Sequence, residues 1–296
     1  MIRLKANRRF PFRIDVSAGT PAMIRISAFA DEISQDPVEQ IDVLERLGIK
    51  HIEFRAIHGV NVADLAEAKH REFRSLLHGR GFELSAIGSP IGKIKVTDPF
   101  EPHLEKFDHV LHLASFYKTP RIRIFSFYMP PGENPAKHRD EVHSRMKALV
   151  ARAADHGVML LLENEKDLYG DTAPRVLDLI ATIDSPFLTH AFDPANYLEV
   201  GQSIDDAWTL LRGVVTHFHI KDYDVQSKRN VPAGEGQGQF PRLLREAAAA
   251  GYEGFCTLEP HLIEAEKMYG YTGPVRFTDA AHALQIILRE AGIAYA

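Results

Sequence analysis

One cysteine, Cys256, occurs in the whole chain, so no disulfide can form within it and a reducing, cytoplasmic setting is expected. No apolar run approaches the ~20 residues needed to span a bilayer, so no membrane partner is expected. Positive charge is not in excess. The 35 Lys and Arg stand against 40 Asp and Glu for a net charge of −5, which disfavours nucleic acid and anionic membranes as partners. No G-x-G-x-x-G turn follows the first apolar strand, which argues against a dinucleotide-binding open sheet. No G-x-x-x-x-G-K-[ST] stretch is present, which removes a nucleotide phosphate loop. Low-complexity linkers and clear internal boundaries are also missing. Residues 1–23 lack the apolar block of a secretory signal and are rich in basic side chains. They are read as an N-terminal extension, from an upstream start or as an arm on the domain, and take no part in the fold argument.

What remains is ordinary globular material, 296 residues at 45% hydrophobic and 25% charged, enough for a large core. Short apolar runs alternate with amphipathic ones. Strands are expected at 24–30, 51–57, 83–88, 121–128, 159–165, 188–194, 216–222 and 254–260. Several are apolar on both faces, as strands buried in a parallel sheet are. Helices are expected at 37–48, 64–81, 101–117, 139–157, 172–183, 203–213, 241–251 and 278–292. This alternation of strands and helices over residues 24–296 predicts one α/β domain, a closed (β/α)₈ TIM barrel.

The run "VVTHFHIKDYD" (214–224) drives a buried-looking strand into imidazoles and charges, and it is not alone. Four successive strands end in potential ligands: Glu163, Asp193, His219 and Glu259. In a barrel the C-terminal strand ends surround one mouth, so these side chains can converge on a cation. A single strand-end carboxylate is ordinarily a cap or a solvated residue, and a single strand His an internal hydrogen-bonding group. Four together are costly to bury without a neutralising ion. The mixed oxygen and nitrogen set suits Mn²⁺, the first expectation, and also Mg²⁺, Co²⁺ or Zn²⁺. His217, one layer deeper than His219, is read as an internal residue or a donor to a ligand. Asp222 is read as orienting an imidazole or lysine, and Lys221 as an electrophile or as the partner of Asp222.

"LLLENE", "FDPAN", "HFHIKD", "VPAGEGQGQF" and "CTLEP", in this order, resemble the xylose isomerase-like TIM-barrel superfamily, specifically its sugar phosphate isomerase/epimerase-like enzymes. These include ketose 3-epimerases and inosose dehydratases. The resemblance implies that Glu163, Asp193, His219 and Glu259 bind one divalent metal ion, and that Glu163 and Glu259 also exchange the substrate proton. The ketose epimerases usually carry D-x-x-H on the sixth strand. Here the run is "DPAN", so Asn196 stands where their substrate-binding His would be.

The implied function is a metal-dependent isomerase or epimerase acting on a keto-sugar through an enediolate, with proton transfer by two glutamates. A dehydratase or lyase on a keto-sugar or inosose is the alternative, since loss of a β-hydroxyl uses the same enediolate. Asn196, Glu53, Lys221 and Asp222 are expected at a small carbohydrate substrate. Glu53 and Arg55 otherwise form an ion pair with each other. Gly88 and Gly92 are candidates for close approach to ligand, and Lys93 for a phosphate or for solvent. The glycine-rich 231–240 is read as a lid. The long 261–277, with Tyr269 and Tyr271, is read as a lid or as a contact between copies in a homo-oligomer. An apurinic endonuclease-like nuclease is a weaker reading, because the third and fourth strand ends carry no His for further zinc ions. A non-catalytic sugar-binding barrel is weaker still, given a complete proton-transfer pair.

Overall fold

The computed structural model describes residues 23–262 and 270–296. The extension before Met23, and Tyr269 with it, lie outside the described residues. Eight parallel strands form the wall: β1 (Met23–Ala28), β2 (His51–Phe54), β3 (Glu83–Gly88), β4 (Arg121–Ile124), β5 (Met159–Glu163), β6 (Leu188–Phe192), β7 (Val215–Ile220) and β8 (Phe255–Leu258). Hydrogen bonds join each neighbour from β2 through β8 and β8 to β1, and β1 and β2 lie side by side to close the (β/α)₈ barrel. A short ninth strand, β9 (Ala294–Tyr295), pairs with the start of β1.

Helices α1 (Pro37–Arg46), α2 (Glu67–Gly79), α3 (Glu101–Tyr117), α4 (Arg139–Asp155), α5 (Ala173–Ile183), α6 (Pro194–Glu199), α7 (Ile204–Leu211), α8 (Phe240–Ala249) and α9 (Pro274–Glu290) connect the strands. Their ends follow the local chemistry. Asp36 caps α1 by accepting from the Val38 amide at 2.9 Å, with Pro37 in the first turn. Gly48, at φ 74°, takes the chain out of the helix.

Strand alternation sorts the core into two layers. In β5, Leu160 and Leu162 face the helices and join the large outer core, while Met159 and Leu161 pack with Ala86 and Ala191 in a small inner cluster. Glu163 continues the inward parity of Met159 and Leu161. In β7, Phe218 packs outward on Trp208 and Phe192, so His217 and His219 point inward. The alternation that puts apolar residues under the helices therefore delivers a column of polar side chains to the barrel mouth.

Most expected strands end a few residues early, and two of them leave the barrel wall for another partner. The run 51–57 breaks at Arg55, and Ala56–Ile57 folds back on Val60–Asn61 through His58 and Gly59, both at positive φ. The run 121–128 stops at Ile124, beyond which the backbone pairs with 91–95 instead of the barrel. Phe125 accepts this because Gly92 lies under it: a Cβ on Gly92 would sit 2.1 Å from the Phe125 carbonyl oxygen. Gly92 thus serves chain packing rather than ligand approach.

Candidate active site

Glu163 ends β5, Asp193 follows β6, His219 lies in β7 and Glu259 follows β8. All four are buried, and their ligating atoms lie within 4.8 Å of one another. His219 Nδ1 is 3.2 Å from Glu163 Oε1 and 3.3 Å from Glu259 Oε2. Asp193 does two jobs. Its Oδ1 caps α6 by accepting from the Asn196 amide at 3.0 Å, and its Oδ2 faces the group. Asn164 holds the Asp193 backbone from the neighbouring strand, accepting from its N–H at 3.0 Å and donating to its carbonyl at 2.9 Å.

Cations surround these carboxylates. Lys221 Nζ is 2.7 Å from Asp193 Oδ2. Arg55 Nη1 donates to Glu259 Oε1 at 2.9 Å, and Arg123 Nε is 3.3 Å from Glu163 Oε2. Burial pushes Asp193 up to about 7, with Glu259 and Glu163 adding to the shift and Lys221 opposing it. Burial acts against charge on His219, but Glu163 and Glu53 outweigh it and hold the imidazole well above its usual range. Burial likewise opposes ionisation of Glu163, but His219 and Arg123 outweigh it and the net shift is downward.

The residues fit a divalent cation. Asp193 Oδ2, Glu259 Oε2 and His219 Nδ1 converge from three adjacent strand ends, each buried against charged members of the same cluster: Lys221 is 2.7 Å from Asp193 Oδ2, and His219 Nδ1 is 3.3 Å from Glu259 Oε2. Three carboxylates and one imidazole are a suitable hard-to-borderline donor set.

Above the group lies a cavity of about 410 Å³, walled by Arg55, Ser89, Lys93, Arg123, Asn196, Lys221 and His261 as well as Glu163 and Glu259. Lys221 and Asn196, expected at substrate, both line this cavity. Asn196 also donates to Glu163 Oε1 at 3.3 Å and to the Asn164 carbonyl at 2.8 Å, so its amide orients a carboxylate as well. Glu53 and Asp222, expected at substrate, do not line the cavity. Glu53 is fully buried beneath the group against His217, at 2.8 Å. Asp222 turns away and accepts four backbone N–H groups, from Tyr223, Gly234, Gly236 and Gly238, at 2.7–3.1 Å.

The expected pairings change accordingly. Lys221 pairs with Asp193 rather than Asp222. Arg55 pairs with Asp31 (2.8 Å) and Glu259, not with Glu53. The stretch 231–240 is a loop fastened to Asp222, and none of its residues walls the cavity. Lys93 pairs with Glu165 at 2.8 Å over the Phe125 ring. Tyr271 is only partly buried and is not a cavity residue.

Reading strand ends alone missed Arg123, Glu32 and His261. Glu32 follows β1 and fastens the segment after β8. Its Oε2 accepts from the His261 amide at 2.9 Å and from Thr272 Oγ1 at 2.6 Å, and its backbone carbonyl accepts from Thr272 and Gly273. His261 Nε2 lies 3.1 Å from Glu32 Oε1 and 3.5 Å from Glu259 Oε1. Arg123 was legible as the inward residue of "RIRI", had strand parity been followed there.

A family model described as "Xylose isomerase-like TIM barrel" matches residues 41–273. A 3-dehydroshikimate dehydratase from Bacillus anthracis is 27% identical over 176 residues, 59% of this chain and 62% of the relative. A fructoselysine 3-epimerase from Escherichia coli O157:H7 is 31% identical over 87 residues, 29% of this chain and 32% of the relative. The matches thus span under two thirds of these curated relatives' length. Among solved structures, the probable 3-DHS dehydratase of B. anthracis superposes with a TM-score of 0.70 at 21% identity, covering 89% of this chain and 98% of that one. A xylose isomerase-like TIM-barrel protein from Mycobacterium smegmatis, in complex with magnesium, gives 0.68 at 18% identity, covering 92% and 99%. At these identities the superpositions speak for the fold.

Proposed function

The chain belongs to the xylose isomerase-like TIM-barrel family, and on that premise we propose that it is a divalent-metal-dependent isomerase or epimerase acting on a keto-sugar or sugar derivative. The observation that carries this reading is the placing of Glu163 and Glu259 about one imidazole nitrogen, 3.2 and 3.3 Å away, each with its own arginine. Two carboxylates approaching from separate strands can take a proton from one face of a carbon and return one to another. A cation held by Glu163, Asp193, His219 and Glu259, with Mn²⁺ first among the candidates, would supply Lewis-acid stabilisation of negative charge on the substrate oxygen.

The rest falls to side chains of the chain itself. Arg123 and Arg55 fix the direction of the two glutamates, while, against burial, His219 and Arg123 hold the Glu163 carboxyl low and Lys221, His219 and His261 hold that of Glu259 low. Asn196 holds Glu163 Oε1 from the cavity side. Lys221 presents an ammonium to the cavity, where it can donate to a substrate hydroxyl or carbonyl. The polar wall and volume suit a small polyol.

A second reading, dehydration, is favoured by the similarity to a 3-dehydroshikimate dehydratase over more than half the chain. The same α-proton abstraction would then be followed by loss of a β-hydroxyl. His261, close to Glu259, lies where it could pass a proton to that hydroxyl.

Glu163→Gln and Glu259→Gln test the shared core of both readings. Each should lower turnover by roughly 10²–10⁴-fold. Metal content measured on each variant separates loss of the base from loss of the ion. Wild-type turnover in either variant refutes the two-glutamate mechanism.

A further inference from the structure

We infer that Glu53 is a positioning residue that fixes the His219 imidazole with Nδ1 toward the cation site; the inference rests on the metal reading above. Glu53 comes from β2, across the barrel from β7, and is fully buried. Its Oε2 lies 3.4 Å from His219 Nε2 and 2.8 Å from His217 Nε2. His219 Nδ1, on the other side of the ring, faces Glu163 and Glu259.

A histidine that binds a cation is neutral, and a neutral imidazole carries one N–H and one lone pair. An ionised Glu53 can only accept, so it selects the tautomer with the proton on Nε2. That leaves the Nδ1 lone pair among the carboxylates, where a cation would sit. The opposite tautomer would turn a lone pair on Glu53 and a proton on the cation site. Phe29 packs edge-on against the ring, centroids 5.2 Å apart, and limits its rotation.

Glu53 is itself held in place. His217 Nε2 bonds it and also lies 2.7 Å from Thr257 Oγ1, and Arg123 Nε is 3.8 Å from Glu53 Oε1. Glu53, His217 and His219 also lie close enough together to suggest a second cation. Two facts argue for the orienting role instead: neither Glu53 nor His217 lines the cavity, and His217 Nε2 is already engaged by Glu53 and Thr257. A carboxylate behind a metal-binding histidine ordinarily matters 10–100-fold in metal affinity.

The test uses the full chain with Mn²⁺ and Zn²⁺ as probes. Mn²⁺ affinity is measured for wild type and Glu53→Gln, and ¹⁵N-histidine spectra are recorded on the Zn²⁺-loaded wild type. The inference expects about 10–100-fold weaker Mn²⁺ binding in Glu53→Gln, and in the wild type an Nε2–H tautomer with Nδ1 shifted by the ion. Wild-type affinity in the variant, or an Nδ1–H tautomer in the wild type, overturns it. The tautomer decides by itself if Glu53→Gln does not fold. A wild type that takes up neither ion overturns the metal reading too, whereas tight wild-type binding unaffected by Glu53→Gln overturns this inference alone.

Discussion

Lys221 places its ammonium 2.7 Å from Asp193 Oδ2 and 3.8 Å from Glu259 Oε2, so one buried lysine serves two carboxylates of the candidate metal group. Burial pushes Asp193 up to about 7, and Lys221 is the largest influence restraining that rise. In Lys221→Met, Asp193 should hold its proton to a higher pH and compete less well for a cation as pH falls. Mn²⁺ affinity should therefore drop more steeply in the variant than in wild type between about pH 8 and about pH 6. Turnover should fall by about 10²-fold, the cost of removing one preorganised donor. Parallel pH dependence of Mn²⁺ binding in the two proteins would contradict this role.

Asp222 is a structural carboxylate. Three of its four backbone N–H bonds, from Gly234, Gly236 and Gly238, fasten the glycine-rich loop 231–240 to the segment after β7. Asp222→Ala should cost about 3 kcal/mol in denaturant unfolding, since charge-assisted bonds are lost while the freed amides regain water. A Cβ on Gly236 would lie 2.4 Å from Asp222 Oδ1, so Gly236→Ala should also destabilise. Because the clash is partly with Asp222, Gly236→Ala should cost less in an Asp222→Ala background. Strict additivity would show that the loop is held by something else.

Asp178 ties α4 to α5. Arg139 donates to both its oxygens at 2.8 Å, His143 Nε2 lies 2.9 Å away and Tyr169 Oη donates at 3.1 Å. Burial would raise this carboxyl, but Arg139 and His143 outweigh it and hold it near 2. Its folded pKa lies below the unfolded value of about 3.9, so its stabilisation is complete above about pH 5 and is lost as pH falls through 3.9 toward 2. With solvent screening the contribution is on the order of 1–2 kcal/mol. Urea unfolding of wild type and Asp178→Asn should differ by this amount at neutral pH, with the gap closing toward pH 2. A gap that does not depend on pH would contradict the ion-pair account.

Much of this was legible in the sequence because one rule, strand alternation, governs both core and site. The starts of β2 to β6 and the whole of α3 coincide with the elements expected at "HIEFRAI", "ELSAIG", "RIRIFSFY", "MLLLENE", "LTHAFDP" and 101–117. The strand C-terminal ends were overextended. There the hydrophobic alternation continues while the hydrogen-bond partner changes, as at Phe125, and periodicity cannot register a change of partner. Helix α6 was read as strand and loop, although Asp193 followed by Pro194 is a helix start. Its cap signal was hidden because Asp193 also looked like a ligand; in the structure one side chain caps the helix and lies beside Glu163, His219 and Glu259. The convergence of Glu163, Asp193, His219 and Glu259 followed from the barrel. The burial of Glu53 and the turning away of Asp222 did not, because they depend on what fills the barrel interior and on a loop 12–16 residues further along the chain.

Deuterium incorporation tests the central claim most directly. Mn²⁺-loaded protein is incubated in D₂O with keto-sugars and cyclic hydroxyketones, and recovered substrate and product are read for deuterium beside the carbonyl. A carboxylate that accepts a proton can exchange it with solvent before returning it. The account predicts deuterium at that carbon with wild type, and its loss in Glu163→Gln or Glu259→Gln with the ion still bound. Product that forms without deuterium under any condition, or exchange that persists in both variants, would contradict it.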